Sequence, residues 1–264
     1  MKGLNNQFIL NYQGAKYKET KELVDVDFSQ YDTIIECFGG SFGFSRFQYE
    51  IKDLKDKKYI VVDNDKDLID LYNYIKDRLN TEGIETFIKE YNDIMETIFT
   101  QFKTGKDTSQ IKLASTMEYI KETITDSNMK YLLIHNITSG HISRVYRKNK
   151  CKFFDMMKDM EFIYSDFEAF DFTKYDKEKT LIYLDPPYLF ECNTYYHDID
   201  SMKTFYEAME NIFITNTSIF IHSFNYLLHK CYGKWEFMKY DVKYKNTGNK
   251  RVHMVYYNKF EIDK

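Results

Sequence analysis

In the first third of the chain, apolar and polar positions follow the order strand, turn, helix, strand. Residues 31–38 are predicted to form a short buried strand, and a Gly-Gly-Ser turn at 39–41 follows it directly. Residues 58–63 form an apolar run that ends in an acid, and apolar side chains recur at helical spacing over 67–79. This order is typical of the opening of a nucleotide-binding α/β unit.

The middle of the chain is helical and polar in character, and strands return after it. Apolar residues recur on one helical face over 80–130, with a polar break at 103–110 and a second helical stretch over 111–125. The segment 136–152 is irregular and basic. Alternating α/β character returns at 160–167, and strands are predicted at 180–184, 218–223 and 252–257.

Composition and charge exclude several classes of protein. The 264 residues are 43% hydrophobic and 30% charged, as in globular chains, and the formal net charge of −4 excludes a strongly basic nucleic-acid coat. No apolar run is long enough to span a membrane, and the N-terminal residues lack the apolar core of a signal peptide. The four cysteines include no Cys-x-x-Cys pair, which argues against a zinc ribbon. We expect a soluble, cytoplasmic protein without a metal site.

The two prolines of the chain stand side by side, in the sequence Asp185-Pro186-Pro187-Tyr188. They follow the apolar run 180–184, so the predicted strand brings them to its carboxyl end, where α/β sheets bind ligands. Proline fixes φ and removes an N–H donor, so two adjacent prolines indicate a rigid local backbone. A plain turn after the strand is the alternative interpretation.

These four residues suit methyl transfer to an exocyclic amino group of a base. The amine is a poor nucleophile, because its lone pair is delocalised into the ring. The Asp185 carboxylate and the Pro186 carbonyl are acceptors for its two N–H groups, which aims the lone pair at the methyl donor, and Pro187 keeps that carbonyl rigid. Tyr188 offers an aromatic face on which a flipped base stacks. Alignment and fixed dipoles then supply the rate enhancement.

With these motifs in collinear order, the chain resembles the Dam-type adenine-N6-specific DNA methyltransferases, in which the cofactor motif precedes Asp-Pro-Pro-Tyr. The resemblance implies an α/β fold: a Rossmann-like S-adenosyl-L-methionine-dependent methyltransferase core over residues 1–77 and 160–264. A mainly helical, inserted target-recognition lobe is expected over 78–159. The resemblance assigns catalysis to Asp185, Pro186, Pro187 and Tyr188, and binding of S-adenosyl-L-methionine to Tyr12, Lys16, Glu36, Phe38, Gly40, Asp63, Asp166, Phe167 and Asp185.

Five positions depart from that family's pattern. The chain resembles an N-terminal element of that family at 11–16 and its cofactor loop at 36–41. Ala15 replaces the second glycine of the N-terminal element, Cys37 replaces the proline of the cofactor loop, and Phe42 replaces the glycine that follows it. Asp65 stands where asparagine is usual, and His253 stands where the closing segment has glutamate. The changes in the cofactor elements favour an alternative in which the chain is an inactive homologue.

Two basic clusters are candidates for contact with the substrate. Residues 141–152 contain five lysines and arginines and no acid, which suits phosphates. This segment resembles the family's target-recognition hairpin, which implies DNA contacts by Arg144, Arg147, Lys148, Asn149 and Lys150. The second cluster comprises Lys243, Lys245, Lys250 and Arg251. For each cluster a solvated charged surface is the alternative interpretation.

The predicted function is site-specific transfer of a methyl group from S-adenosyl-L-methionine to N6 of a flipped adenine in double-stranded DNA. We expect a monomer, acting either alone or in restriction–modification. The alternatives are an RNA adenine or DNA cytosine-N4 methyltransferase, and a catalytically inactive DNA-binding homologue. Methylation of a protein glutamine is disfavoured, because that class resembles Asn-Pro-Pro-Tyr where this chain has Asp185.

Overall fold

A computed structural model describes Leu10, Thr20 and residues 26–102, 113–138, 152–186, 199–223, 236–243 and 250–257. Its strands are β1 (Thr33–Cys37), β2 (Lys58–Asp63), β3 (Glu161–Tyr164), β4 (Thr180–Leu184), β5 (Thr217–Ser223), β6 (Glu236–Lys243) and β7 (Lys250–Tyr257). Its helices are α1 (Gly43–Glu50), α2 (Lys66–Thr81), α3 (Ile84–Phe102), α4 (Leu113–Thr123), α5 (Ser127–Thr138), α6 (Phe153–Met157) and α7 (Ile199–Thr215).

The strands form one sheet in the order β3-β2-β1-β4-β5-β7-β6. β1 pairs in parallel with β2 and β4, and β4 pairs in parallel with β5. β7 lies antiparallel between β5 and β6. The strand order reverses between β1 and β4, and α/β sheets bind ligands beyond the carboxyl ends of the strands at such a switch point. The predicted Rossmann-like α/β core is confirmed.

The central strands form because their residues are buried on both faces of the sheet. All of β4, four of the five residues of β1 and four of the six of β2 are buried. Burial on both faces requires continuous apolar runs rather than alternation, and each buried aliphatic side chain contributes about 1.5–3 kcal/mol. The core that they share with neighbouring elements comprises Ile35, Cys37, Ile60, Val62, Phe167, Phe172, Ile182, Leu184, Met209 and Phe213.

Packing divides the chain into two compact units, residues 1–15 with 65–162 and residues 16–64 with 163–264. The first consists mainly of helices α2 to α6, and the second holds α1, α7 and the sheet apart from the first half of β3. α2 therefore packs with the helices that follow it. The functional division into a core and a recognition lobe stays a prediction, because these units are defined by packing alone.

Within the helical unit, polar side chains connect neighbouring helices. Arg78 on α2 donates to Glu82 and to Glu90 of α3, and its guanidinium carbon lies 5.7 Å from the centre of the Phe87 ring. In the interior of this unit, the side-chain amide of Asn136 on α5 donates to the Tyr91 hydroxyl at 3.0 Å. None of the helices in the described part of the chain has the length and hydropathy needed to cross a membrane.

Candidate active site

Residues that follow three neighbouring strands meet at one edge of the sheet. The parallel register pairs Cys37, the last residue of β1, with the last residue of β4 and the penultimate residue of β2. Asp63 ends β2, while Phe38 and Asp185 directly follow β1 and β4, so the three residues lie at the same edge of the sheet. The structure thus brings together three of the residues that sequence analysis assigned to catalysis and cofactor binding.

The loop after β1 is held against the end of β2 by two hydrogen bonds from its glycines. The Gly39 N–H donates to the Val62 carbonyl at 3.1 Å, and the Gly40 N–H donates to Asp63 Oδ2 at 2.9 Å. Gly40 has a φ of +46°, a left-handed conformation that glycine adopts without steric cost. Asp63 is half-buried, and the loop holds one of its carboxylate oxygens.

Glu36 lies on β1 with its carboxylate directed at the first turn of α1. Its Oε1 accepts from the Phe44 N–H at 3.1 Å, and its Oε2 accepts from the Ser45 N–H at 2.8 Å. The residue is only 3% exposed. Burial raises the pKa of Glu36 to about 7, against these hydrogen bonds, which lower it, and the charge of Asp185 adds to the rise. Glu36 is therefore the acceptor for the N-terminus of the helix that follows the glycine loop.

At the other side of the loop, an aromatic pair and two polar residues connect the ends of β2 and β3. The rings of Phe38 and Phe167 are 5.2 Å apart at a tilt of 35°, with Phe167 buried and Phe38 half-buried. Asp166 is exposed, and its Oδ1 accepts from the Asn64 side-chain amide at 3.4 Å. Asn64 was not among the predicted site residues. Its position next to Asp63, in a segment that resembles a family motif, was the available signal.

Asp185 and Pro186 follow β4 at the same edge. Asp185 is half-buried with its Oδ1 atom buried, and Pro186 is buried. The charge of Asp185 contributes to the raised pKa of Glu36. The other predicted site residues lie outside the described part of the chain: Tyr12, Lys16, Arg144, Arg147, Lys148, Asn149, Lys150, Pro187 and Tyr188.

A family model matches the segment of the chain that contains almost all of these elements. The model of the D12 class N6 adenine-specific DNA methyltransferases matches residues 12–250. This chain belongs to that family. The predicted resemblance is thereby confirmed, and the match extends from the N-terminal element to the start of β7.

The individual proteins that match this chain are distant in sequence. Modification methylase StsI of Streptococcus sanguinis is 22% identical over 200 residues, and type II methyltransferase M.FokI of Planomicrobium okeanokoites is 24% identical over 204 residues. Each alignment covers 70% of this chain and 29% of the relative, so the chain spans under a third of their length. A solved rRNA methylase from Streptococcus thermophilus aligns over 92% of this chain and 96% of that one, at 11% identity and a TM-score of 0.38.

Within this D12-class chain, Phe42 occupies a position where the resembled pattern has glycine. Phe42 has φ 43° and ψ 47°, in the left-handed region, and it precedes the first residue of α1. Its N–H donates to the Gly39 carbonyl at 2.6 Å, which closes the loop, and its side chain is 2% exposed. The backbone thus keeps the conformation that suits glycine, while a buried aromatic side chain offsets the strain.

We expect Phe42→Gly to be more stable than Phe42→Ala by about 1 kcal/mol, although glycine is ordinarily the less stable substitution. Both variants lose the buried ring, but only alanine retains the left-handed penalty of about 1–2 kcal/mol. Chemical denaturation of the two variants measures the difference. If the alanine variant were as stable as the glycine variant, or more stable, the backbone at this position would be unstrained.

Stability is expected to depend on pH through Glu36. The pKa of Glu36 in the folded chain lies above its ordinary value of 4.5, so between 4.5 and about 7 the folded state holds a proton that the unfolded state releases. Stability therefore falls as pH rises through this window, by about 3 kcal/mol at most. The free energy of unfolding of Glu36→Gln should lack this slope, whereas an exposed control, Glu178→Gln, should retain it. If the free energy of unfolding had the same dependence on pH in wild type and Glu36→Gln, the expectation would be contradicted.

Proposed function

We propose that this chain transfers a methyl group from S-adenosyl-L-methionine to N6 of an adenine at a specific site in double-stranded DNA. The observation that carries the proposal is the register at the sheet edge. It pairs Leu184, the residue before Asp185, with Cys37. Asp185 and the glycine loop therefore follow neighbouring strands, at the switch point between β1 and β4. Membership of the D12 class supplies the reaction and the substrate class.

The described residues fit the proposed cofactor. A half-buried carboxylate at the end of β2 suits ribose hydroxyls, and Asp63 has that position with Gly40 holding one of its oxygens. The Phe38–Phe167 pair offers aromatic surface for an adenine ring, and the exposed Asp166 carboxylate suits its amino edge. When bound, S-adenosyl-L-methionine supplies an electrophilic methyl group. Tyr12 and Lys16 complete the proposed set by resemblance.

We assign Glu36 to this site as a positioning residue. Its carboxylate accepts from the first amides of α1, so it orients the helix that the cofactor loop leads into. An anionic acceptor at a helix N-terminus is stabilised by the helix dipole. Because Glu36 is buried, its effect on the cofactor is transmitted through the loop rather than by direct contact.

The chemistry is assigned to the residues that follow β4. The Asp185 carboxylate and the Pro186 carbonyl accept the two N–H groups of the target amine, which localises the nitrogen lone pair and aims it for in-line attack. Because Pro186 is buried directly after a fully buried strand, its carbonyl is held on a rigid support. Pro187 adds to that rigidity, and Tyr188 stacks on the flipped base.

Recognition of the DNA is assigned to the basic segment that precedes α6. Arg144, Arg147, Lys148 and Lys150 suit phosphates, and Arg144 or Asn149 has the hydrogen-bonding groups to read base edges in the major groove. We further propose that the chain acts as a monomer within restriction–modification, since both distant relatives are modification or type II methyltransferases.

Transfer of labelled methyl from S-adenosyl-L-methionine to unmethylated genomic DNA, followed by nucleoside analysis, tests the proposal. N6-methyladenine is the expected product, and it should disappear when the DNA is replaced by RNA. Label in N4-methylcytosine would show that the acceptor is N4 of cytosine rather than N6 of adenine. Label in RNA alone would show that the substrate is RNA rather than DNA. Absence of transfer together with absence of cofactor binding would identify an inactive homologue.

A further inference from the structure

We infer that the end of the β6–β7 hairpin is a second phosphate-binding surface for the DNA duplex, separate from the basic segment at 141–152. The surface is defined by Lys243 on β6 and by Lys250 and Arg251 on β7. The inference rests on the proposed function in one respect, namely that duplex DNA is the substrate.

The sheet topology places this surface at the catalytic edge. β7 runs antiparallel to β5, so its first residues lie at the carboxyl edge of the parallel strands, the edge at which Asp185 follows β4. Ser223, the last residue of β5, pairs with His253. The three residues of β7 that precede His253 continue past that pairing, about 10 Å at the usual rise of a strand.

The lateral separation suits a duplex whose base enters the catalytic site. One strand, β5, lies between β4 and β7 in the sheet. Strands are spaced about 4.8 Å apart, so β7 lies about 10 Å to the side of β4. That separation is comparable to the width of the major groove, about 12 Å, so phosphates that flank a base flipped toward Asp185 lie within reach of the hairpin end.

The charge of the hairpin end is unlike that of the whole chain. Residues 242–252 contain four lysines and arginines and no acid, in a chain of formal net charge −4. A local positive surface in an acidic protein is the electrostatic footprint of a phosphate partner.

The register of the hairpin gives a second argument, independent of composition. Lys243 and Lys250 are directly opposite each other across β6 and β7, so they share one face of the sheet, and Arg251, the next residue along, belongs to the other face. Like charges directly opposite in an antiparallel pair are destabilising. A bound polyanion neutralises both charges and removes that repulsion, which explains their pairing better than a stabilising role within the sheet does.

Protection of an edge strand does not explain the cluster. Lysines on an edge strand prevent unwanted strand pairing, and β6 is the last strand in the order of the sheet. Lys250 and Arg251, however, lie on β7, which has β6 on its outer side. Two of the three cations are therefore outside the edge strand.

The test compares two triple variants that remove the same charge from opposite edges of one sheet. The first is Lys243→Gln/Lys250→Gln/Arg251→Gln. The matched control is Lys174→Gln/Lys177→Gln/Lys179→Gln, three exposed lysines in the segment that leads into the amino end of β4. Binding of a short fluorescein-labelled duplex of mixed sequence is measured by anisotropy between about 50 and 200 mM salt.

The hairpin variant should bind the duplex about ten- to a hundredfold more weakly, and its plot of log affinity against log salt should be shallower by about 2–3. The control variant should match wild type. Because phosphate contacts carry no sequence information, the loss should be equal for all duplex sequences. At saturating DNA the turnover number should be unchanged, with only KM for DNA raised. Arg251→Gln alone should reduce the salt slope by about 1. This single variant replaces the triple variant in the binding test if the triple variant does not fold.

Two results would overturn the inference while leaving the proposed function intact: a hairpin variant that methylates and binds like wild type, and a control variant that loses equal affinity. A wild-type chain that transfers no methyl group, yet binds the duplex with a salt slope that the hairpin variant reduces, would support the inference and defeat the proposed function. Preference for an RNA hairpin over the duplex, lost in the hairpin variant, would reassign the surface to RNA and overturn the inference as stated.

Discussion

Alanine in place of Asp185 is expected to lower the turnover number about a hundred- to a thousandfold while affinity for S-adenosyl-L-methionine stays within a few-fold. The carboxylate accepts an N–H of the target amine at the stage when the nitrogen becomes tetrahedral, so its loss removes an interaction that strengthens in the transition state. Losses of two to three orders of magnitude are usual when one such group is removed. Single-turnover methylation and cofactor titration by fluorescence measure the two quantities.

Two further variants separate chemistry from folding at this position. Asp185→Asn keeps the shape and one acceptor oxygen but presents an N–H₂ group, so we expect it to retain more activity than alanine and far less than wild type. Asp32→Ala removes an exposed carboxylate just before β1, at the opposite edge of the sheet, and should be fully active. Retained turnover in Asp185→Ala would falsify the proposed role of Asp185.

Substitution of Gly39 by alanine should destabilise the chain by about 3 kcal/mol and weaken cofactor binding at least about tenfold. A Cβ at this position would lie 2.2 Å from Cγ1 of Val61 on β2. Val61 is fully buried and branched, so it has no room to move and the loop must shift instead. That shift would pull the Gly40 N–H away from Asp63. Denaturant unfolding and cofactor titration measure the two effects.

The clash with Val61 makes this prediction testable by rescue. Val61→Ala removes the clashing methyl group, so Gly39→Ala/Val61→Ala should be less destabilised than the sum of the two single variants by about 1 kcal/mol or more. Gly83→Ala is the matched control, because a Cβ there meets nothing within 4 Å and only its φ of +89° opposes the change. Additive single effects would show that the loss arises elsewhere than at Val61.

Elements with a complete local pattern were predicted from the sequence. The apolar run at 180–184 coincides with β4, and the helical spacing over 67–79 lies within α2. The predicted strands at 218–223 and 252–257 lie within β5 and β7. In each case the period or the continuity of apolar residues reports the burial that forms the element.

Elements without such a pattern were missed. β6 mixes charged and apolar residues, as an edge strand does, and it is defined by its pairing with β7. α5 begins at Ser127 and extends into the segment interpreted as irregular and basic, which it occupies to Thr138. α7 is the exception: it places Tyr206, Met209 and Phe213 at helical spacing, so its signal was present in the sequence although the helix was not predicted.

The chemistry proposed for the candidate site was predicted from the sequence alone, because an Asp-Pro-Pro-Tyr motif after an apolar run supplies a restricted backbone and acceptors within four residues. Three features depend on contacts between residues whose pairing cannot be read from the local sequence. These are the bond from Gly40 to Asp63, the burial of Glu36 against the amides of α1 and the left-handed conformation of Phe42. Local sequence determines which groups are present and which element holds them. Strand order and register, which sum many weak long-range contacts, decide which of those groups meet.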